Sequence, residues 1–382
     1  MGRVGSTPEY VDWSIYIEVI MLMSSPDALV IGSTGLIGRW LVPELTRRGQ
    51  RVALLSRNAG ARAQAYRDWV AAMGGAPERL VFLEGDLDAP RLGLSADDEL
   101  ALHGVRDVFH LGARFAWHLS ADDARRTNVE GTRAVVELAS RLPSLRRLVL
   151  VGGYRIGPRL NASGAVVPAP TRGFTGSGAY EASKALAHQV ALETAARLGV
   201  PVTTVHPSSV IGDSRTGATV QSLGLGDTLQ RVHAGTMPVL LGSPETFVPV
   251  VAVDTLARFL AGVAELPETL GQEYTLLDPS TPPLHQLIRW AAERSGRRAP
   301  RFTLPVSWVR WLPERLLSAA TESLDFLDTA RYPVEPALTL ARRMGMELPP
   351  VHTVMDRWFD FLRATDFTPD VERAREAAVR PA

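Results

Sequence analysis

Short apolar runs alternate along this chain with longer stretches of helical spacing. Ala28–Ile31, Arg51–Leu55, Arg79–Leu83, Asp107–Leu111 and Arg147–Val151 predict strands. Leu36–Arg48, Asp122–Leu142 and Tyr180–Leu198 predict helices between or after them, and Val202–His206 predicts a further strand. The strand runs are apolar throughout rather than every second residue, as expected where helices cover both faces. The pattern therefore predicts an α/β fold, a doubly wound parallel sheet. Beyond Pro207 it loosens into turns rich in Gly, Ser and Thr. A strand at Phe247–Val251, a helix at Asp254–Ala264 and a strand at Glu273–Leu276 are then expected to rejoin the sheet. Residues from Pro282 to about Leu362 read as mainly helical, with the aromatic cluster Trp308, Trp311, Phe326, Tyr332, Trp358 and Phe359.

This pattern divides the chain into an N-terminal extension (1–26), a cofactor-type α/β domain (27–206, completed by 247–278), a smaller cap (207–246 and 279–365) and a C-terminal tail (366–382). Val11–Met23 is apolar but too short to span a bilayer, and Asp12 and Glu18 interrupt it. It reads as a docked surface element or as an upstream start, since Met21 and Met23 could each begin the chain.

Gly32-Ser-Thr-Gly-Leu-Ile-Gly38 lies between the first strand and the first helix. The first glycine permits a tight turn, the second lets backbone N–H groups approach a pyrophosphate, and the third allows close helix–strand packing. The helix N-terminus adds positive potential. At the end of the second strand, where an acidic residue would grip the ribose of NAD, stand Ser56 and Arg57. A carboxylate there would repel a 2′-phosphate, whereas serine and arginine can bind one. NADP is the expected cofactor, with NADPH preferred over NADH.

Composition changes the picture at one point. The 382 residues are 46 % apolar and 21 % charged, and 41 basic residues balance 41 acidic ones. No general attraction to nucleic acid or anionic lipid follows. Absence of cysteine excludes disulfides, thiolate metal sites and a cysteine nucleophile, and fits a cytoplasmic protein. No metal is expected. Of the 41 basic residues, Lys184 alone is lysine. It follows Tyr180 by four residues in a helical stretch, so the two share a face. With seven tyrosines in 382 residues, chance would place one lysine there about 2 % of the time. A neighbouring ammonium stabilises phenolate and lowers the tyrosine pKa, which makes Tyr180 a usable proton donor. Arginine would supply charge with a bulkier, planar donor set.

Gly-x-x-Gly-x-x-Gly together with Tyr-x-x-x-Lys resembles the extended short-chain dehydrogenase/reductases, over about Asp27–Asp278. Gly85-Asp86-Leu87 resembles the family's adenine-contacting turn, and Val108–Ala113 the fourth-strand motif along the cofactor. Asn128 matches a helix-embedded asparagine. Pro207–Gly217 is similar to a segment of thioester and fatty-acyl reductase members, and Val248–Asp254 to the strand closing the cofactor domain. The resemblance implies a Rossmann-type fold that binds cofactor through Gly32, Thr34, Gly35, Leu36, Ile37 and Gly38, through Ser56 and Arg57, and through Asp86 and Leu87. Further contacts would come from Leu111, Gly112, Ala113, Tyr180, Lys184, Pro207, Ser208, Ser209 and Val210. It implies Tyr180 as general acid, Lys184 tuning it and holding the nicotinamide ribose, and Asn128 ordering a water. His110, in an apolar strand, reads as a core histidine.

The pattern departs from the family after the fifth strand. A serine or threonine usually binds the substrate carbonyl there, and counting back from Gly157 puts Gly152 at that position with Gly153 beside it. Loss of such a donor typically costs ~10²–10³ in rate. Tyr154, Thr175 or Ser177 could substitute; the glycines could widen the site or expose backbone N–H groups; or catalysis has decayed. The reading is an NADP-dependent oxidoreductase reducing a ketone, aldehyde or acyl thioester of a hydrophobic substrate, which would bind between sheet and cap. Trp308 and Trp311 are either substrate contacts or cap core. The alternatives are a sugar-nucleotide epimerase or dehydratase, and a non-catalytic NADP-binding sensor or scaffold. The oligomeric state stays open, with a homodimer as one option.

Overall fold

The computed structural model describes residues 25–114, 119–169, 179–309 and 327–379. The N-terminal stretch, Thr175, Ser177, Trp311 and Phe326 lie outside these residues. Seven parallel strands form the central sheet: β1 (Ala28–Ile31), β2 (Val52–Ser56), β3 (Leu80–Glu84), β4 (Asp107–His110), β5 (Arg147–Val151), β6 (Val202–Pro207) and, last in sequence, Glu273–Leu276. Their order places Glu273–Leu276 at one edge, followed by β6, β5, β4, β1, β2 and β3. The direction of winding reverses between β1 and β4, and it is at the carboxyl ends of strands at such a switch point that open α/β sheets form a ligand crevice.

Continuous apolar strands need cover on both faces, and two separate cores supply it. On one face Val30, Phe109, Val149 and Val205 pack with Trp40 and Leu45 of α1 (Leu36–Arg47) and Trp69 of α2 (Ala59–Ala72). On the other, Leu29, Val108 and Leu148 pack with Val135 and Val136 and with Ala191 and Ala195. The first pair lies on α3, a helical run of Ala121–Ala124, π-helical Arg125–Glu130 and Gly131–Ser140. The second pair belongs to α4 (Ala179–Leu198), whose small residues let it lie close to α3.

Of the two late strands expected in the sheet, only Glu273–Leu276 joins it, beside β6. Val250–Ala252 pairs instead with Ser209–Ile211, in a separate parallel ribbon. The chain departs from the sheet at Ser208, whose N–H still reaches the Leu276 carbonyl, so the segment after it can pair only outside. A third core holds Leu229, Ile288, Met355, Trp358, Phe359 and Leu362, the helical cap. Trp308 is 69 % exposed and therefore no part of a cap core. Helices at Glu335–Arg343 and Val371–Val379 place Ala337, Leu340 and Ala374 in the sheet-side core, so the chain's last helix is a docked element of the α/β layer.

Candidate active site

The glycine turn Gly32–Gly38 leaves β1 at the switch point. Gly32 has φ +90°, and a Cβ there would lie 2.6 Å from the Gly112 amide, so the loops after β1 and β4 touch. A Cβ on Gly38 would meet the Gly32 carbonyl at 2.5 Å, which is the close helix–strand approach expected of the third glycine. Gly35 has only the Gly32 carbonyl near its missing side chain, at 3.5 Å. Its free side is where a pyrophosphate would approach. Tyr66 of α2 fixes the turn by donating its hydroxyl to the Ser33 carbonyl at 2.8 Å. The Arg39 side chain donates to the Thr34 carbonyl at 3.1 Å; burial, with a further contribution from Arg62, pulls its pKa down. Thr34, Leu36 and Ile37 belong to this turn and to the first residues of α1.

Ser56 ends β2, and Arg57 beside it is exposed. The Glu84 carboxylate at the end of β3 accepts the N–H groups of Asn58 (2.7 Å) and Ala59 (2.8 Å), which occupies the start of α2. Reading the sequence did not single out Glu84, because an acidic residue on the neighbouring strand gives no local signal. Asp86 and Leu87 lie in the next turn, where the Asp86 side chain accepts the Asp88 N–H at 3.1 Å.

Leu111, Gly112 and Ala113 follow β4. Asn128 ties their loop to α3, with its Oδ1 accepting from the Arg114 N–H (2.7 Å) and its Nδ2 donating to the Arg114 carbonyl (3.2 Å). The same Nδ2 donates to Ser183 Oγ (2.9 Å), and that hydroxyl donates to the Tyr180 carbonyl (2.7 Å). Asn128 thus couples the loop after β4 to the first turn of α4. It sits in the π-helical segment, a distortion that often marks functional sites. Ser183 was not foreseen.

Tyr180 and Lys184 lie on successive turns of α4. The Lys184 ammonium donates to the Val151 carbonyl, the last residue of β5, at 3.0 Å. Burial pushes its pKa down to about 8. The Tyr180 phenol is pushed up to about 12, by burial and then by the Glu181 carboxylate. The expected lowering by Lys184 is therefore not seen in this arrangement: burial and the Glu181 carboxylate set the direction. Glu181 is itself held by Arg155 at 2.5 Å, and Arg155 also reaches Asp328 at 3.1 Å, a buried link from the β5 turn through α4 to the cap.

The glycines after β5 have a different reason from any expected. A Cβ on Gly152 would lie 2.5 Å from His206 Nδ1, and one on Gly157 would lie 2.8 Å from the same ring. The fully buried His206 of β6 fills the volume that a serine at position 152 would need. Nor are backbone donors exposed. The Gly152 N–H goes to the Val205 carbonyl (2.9 Å), Tyr154 N–H to the Pro207 carbonyl (3.0 Å), and Gly153 N–H faces His206 Nδ1 at 3.4 Å. Only Gly153 has open space where a side chain would stand. Tyr154 is buried edge-on against Tyr332, and burial raises its pKa to about 12. His110 is a core histidine, with Nε2 2.9 Å from Thr132 Oγ1 and its pKa lowered to about 3 by burial first and by Lys184. Pro207 closes β6, while Ser209 and Val210 lie in the outer ribbon.

A crevice at the switch point, a glycine turn that opens outward there, and a tyrosine and lysine on one helix face define a dinucleotide-binding oxidoreductase. The family model described as male sterility protein, an NAD-binding family, matches residues 30–260. The chain belongs to this family, and with it to the extended short-chain dehydrogenase/reductases of thioester reductase-like type. It is an NAD(P)-binding enzyme of oxidoreductase type. It is similar to sterol demethylase protein B of Methylococcus capsulatus, 31 % identical over 72 % of this chain and 77 % of that protein. It also resembles the non-canonical nonribosomal peptide synthetase FrzA of Cladobotryum sp, 26 % identical over 87 % of this chain. The chain spans 36 % of that synthetase, and 4 % of the hybrid PKS-NRPS synthetase pydA of Acremonium sp. Among solved structures, the terminal R domain from the myxalamid PKS-NRPS pathway shares the fold. Its TM-score is 0.72 at 24 % identity, over 89 % of this chain and 91 % of that one. Among the described residues no helix is long and apolar enough to cross a membrane.

Proposed function

We propose that this protein is an NADPH-dependent reductase acting on the carbonyl of a hydrophobic substrate, an acyl thioester, aldehyde or ketone. The observation that carries this reading is the Tyr180–Lys184 face of α4, with Lys184 anchored on the end of β5 at the carboxyl edge of the sheet. NADPH would supply hydride to the carbonyl carbon. Tyr180 would give its proton to the carbonyl oxygen, and Lys184, whose amine is drawn toward neutrality by burial, would favour phenolate once the cofactor ribose and phosphates raise its charge. Asn128 would act by shaping the loop 111–114 and the first turn of α4, rather than by ordering a water directly. The residues of the glycine turn, with Asp86, Leu87 and the loop after β4, would line the dinucleotide.

Preference for NADPH rests on Ser56 and the exposed Arg57. Glu84 opposes it by holding the N–H groups at the start of α2. The thioester class is suggested by the thioester reductase-like family to which the chain belongs.

The test is NADPH consumption by the purified chain over a chain-length series of acyl thioesters, aldehydes and ketones, with product identified. Turnover with one of these classes supports the reading. Tight NADPH binding with no turnover favours a second reading, a cofactor-binding protein without catalysis, for which His206 in the serine's space is the specific argument.

A further inference from the structure

Behind the turn after β5 stands a cluster of side chains that carbonyl reduction does not use. His188 lies one turn beyond Lys184 on α4, His206 projects from β6, and Glu273 begins the edge strand Glu273–Leu276. Three elements of the rigid core therefore each bring one donor to a single point. His206 Nε2 lies 3.0 Å from one oxygen of Glu273, and His188 Nε2 lies 3.8 Å from the other. The three donor atoms all fall within 4.8 Å of one another.

His188 Nε2 is buried and without a hydrogen-bond partner. A lone pair shut away from water in this manner costs free energy unless something occupies it. We propose that His188, His206 and Glu273 form a binding site for a divalent transition metal ion of the zinc class, independent of the reductase activity. Two imidazoles and a carboxylate are a donor set that suits zinc, and three protein ligands leave a position open for water. In a tetrahedral site with bonds of about 2.0–2.2 Å, the 3.0 and 3.8 Å separations already bracket the spacing of adjacent ligands.

The protonation states favour an ion. Burial first, then the neighbouring His206 ring and Lys184, hold His188 neutral by lowering its pKa to about 4, against a pull upward from Glu273. The hydrogen bond from His206, set against burial, keeps Glu273 in its carboxylate form. His206 is the ligand that must change. The Gly153 N–H faces its Nδ1, so its ring proton sits on Nε2 toward Glu273 in the metal-free chain. An ion bound at Nε2 would require the ring proton to move to Nδ1, at the cost of the Gly153 N–H contact.

The test uses the untagged full chain, stripped with chelator and titrated with Co²⁺ alone, while the visible absorption of low-symmetry cobalt is followed; Zn²⁺ is then added as competitor. One ion per chain, displaced by Zn²⁺, is expected. Glu273→Gln and His188→Gln should each weaken binding by at least about 100-fold, since even outer-shell partners are worth 10–100-fold. His352→Gln, an exposed histidine elsewhere, should bind as the parent does. Metal-free melting curves confirm that each variant is folded, and Glu273, whose side chain is 34 % exposed, is the substitution the fold should tolerate best. Absence of cobalt absorption, or unaltered binding in either folded ligand variant, overturns the site.

Discussion

Two glycine-rich turns leave the carboxyl edge of the sheet, one after β1 and one after β5, and they use glycine in opposite ways. At Gly32–Gly38 the glycines let backbone meet backbone, and the outer face of Gly35 stays clear for something that is not protein. At Gly152–Gly157 the glycines make room for a side chain of the chain itself, the His206 ring. The first turn is hollow by construction and the second is already filled. Glycine in a sequence therefore reports that space is needed, while its occupant is set by residues far along the chain. That difference explains why the missing serine does not leave an enlarged pocket at position 152, and why only Gly153 offers free volume.

The largest effect is expected from removing the proposed proton donor. Tyr180→Phe should lower NADPH-dependent turnover by ~10²–10⁴, with little change in cofactor affinity or melting temperature. Near-parental rates with an accepted substrate would show that another group donates the proton. Next come the turns themselves. Gly38→Ala places a Cβ within 2.5–2.7 Å of backbone atoms that cannot step aside, so it should cost about 1–3 kcal/mol and abolish cofactor binding. Gly152→Ser should cost a similar amount through the 2.5 Å approach to His206 Nδ1, but with a different remedy. Adding His206→Ala should restore stability to the serine variant and leave the Gly38→Ala defect untouched. Equal responses of the two variants, read as denaturant midpoints, would erase the distinction between the turns.

The hollow turn was legible in the sequence because its requirements are local. A strand, three spaced glycines and a helix start are contiguous, and the alternation of strands and helices carried the sheet. The lone lysine four residues after Tyr180 marked α4 for the same reason. What could not be read depends on partners distant in sequence. His206 meets Gly152 across 54 positions, Glu84 reaches Asn58 and Ala59 from the neighbouring strand, and Ser183 matters only through Asn128. The depressed phenol pKa expected of Tyr180 failed on burial, which residue spacing does not report. The strand at Val250–Ala252 looked no different from a sheet strand, and only the exit of the chain at Ser208 decided that it pairs elsewhere.

A smaller effect belongs to the far side of the hollow turn. Arg57→Ala should weaken NADPH by about 10-fold, the 1–2 kcal/mol scale of one charge-assisted contact, and should change NADH little. Calorimetry with both dinucleotides measures the difference. Equal losses would mean that Arg57 supports the loop rather than a 2′-phosphate. Glu84→Gln then offers the reciprocal change, a gain for NADPH, because it removes a carboxylate beside the same site.

The smallest expected effect distinguishes the filled side by its charge. Lys184 reaches the end of β5, and burial lowers its pKa to about 8 from the ordinary 10.5. Between these values the unfolded chain binds more protons than the folded one, so stability rises with pH across that window. Below pH 8 the folded chain carries the full cost of an ammonium held away from water, and above 10.5 the cost is gone. Lys184→Met removes the charge while keeping an unbranched apolar stem. In the cofactor-free chain it should raise the melting temperature at pH 7 by only about 2 °C, because the bond to the Val151 carbonyl is lost together with the charge. The advantage should shrink steadily from pH 8 to pH 10. A difference that stays constant across that range would mean that methionine packs better, and that the lysine charge carries no cost in the folded chain. A difference that fades with pH would show that Lys184 costs the cofactor-free fold stability, as the proposed proton-transfer role of the Tyr180–Lys184 face requires of a buried ammonium.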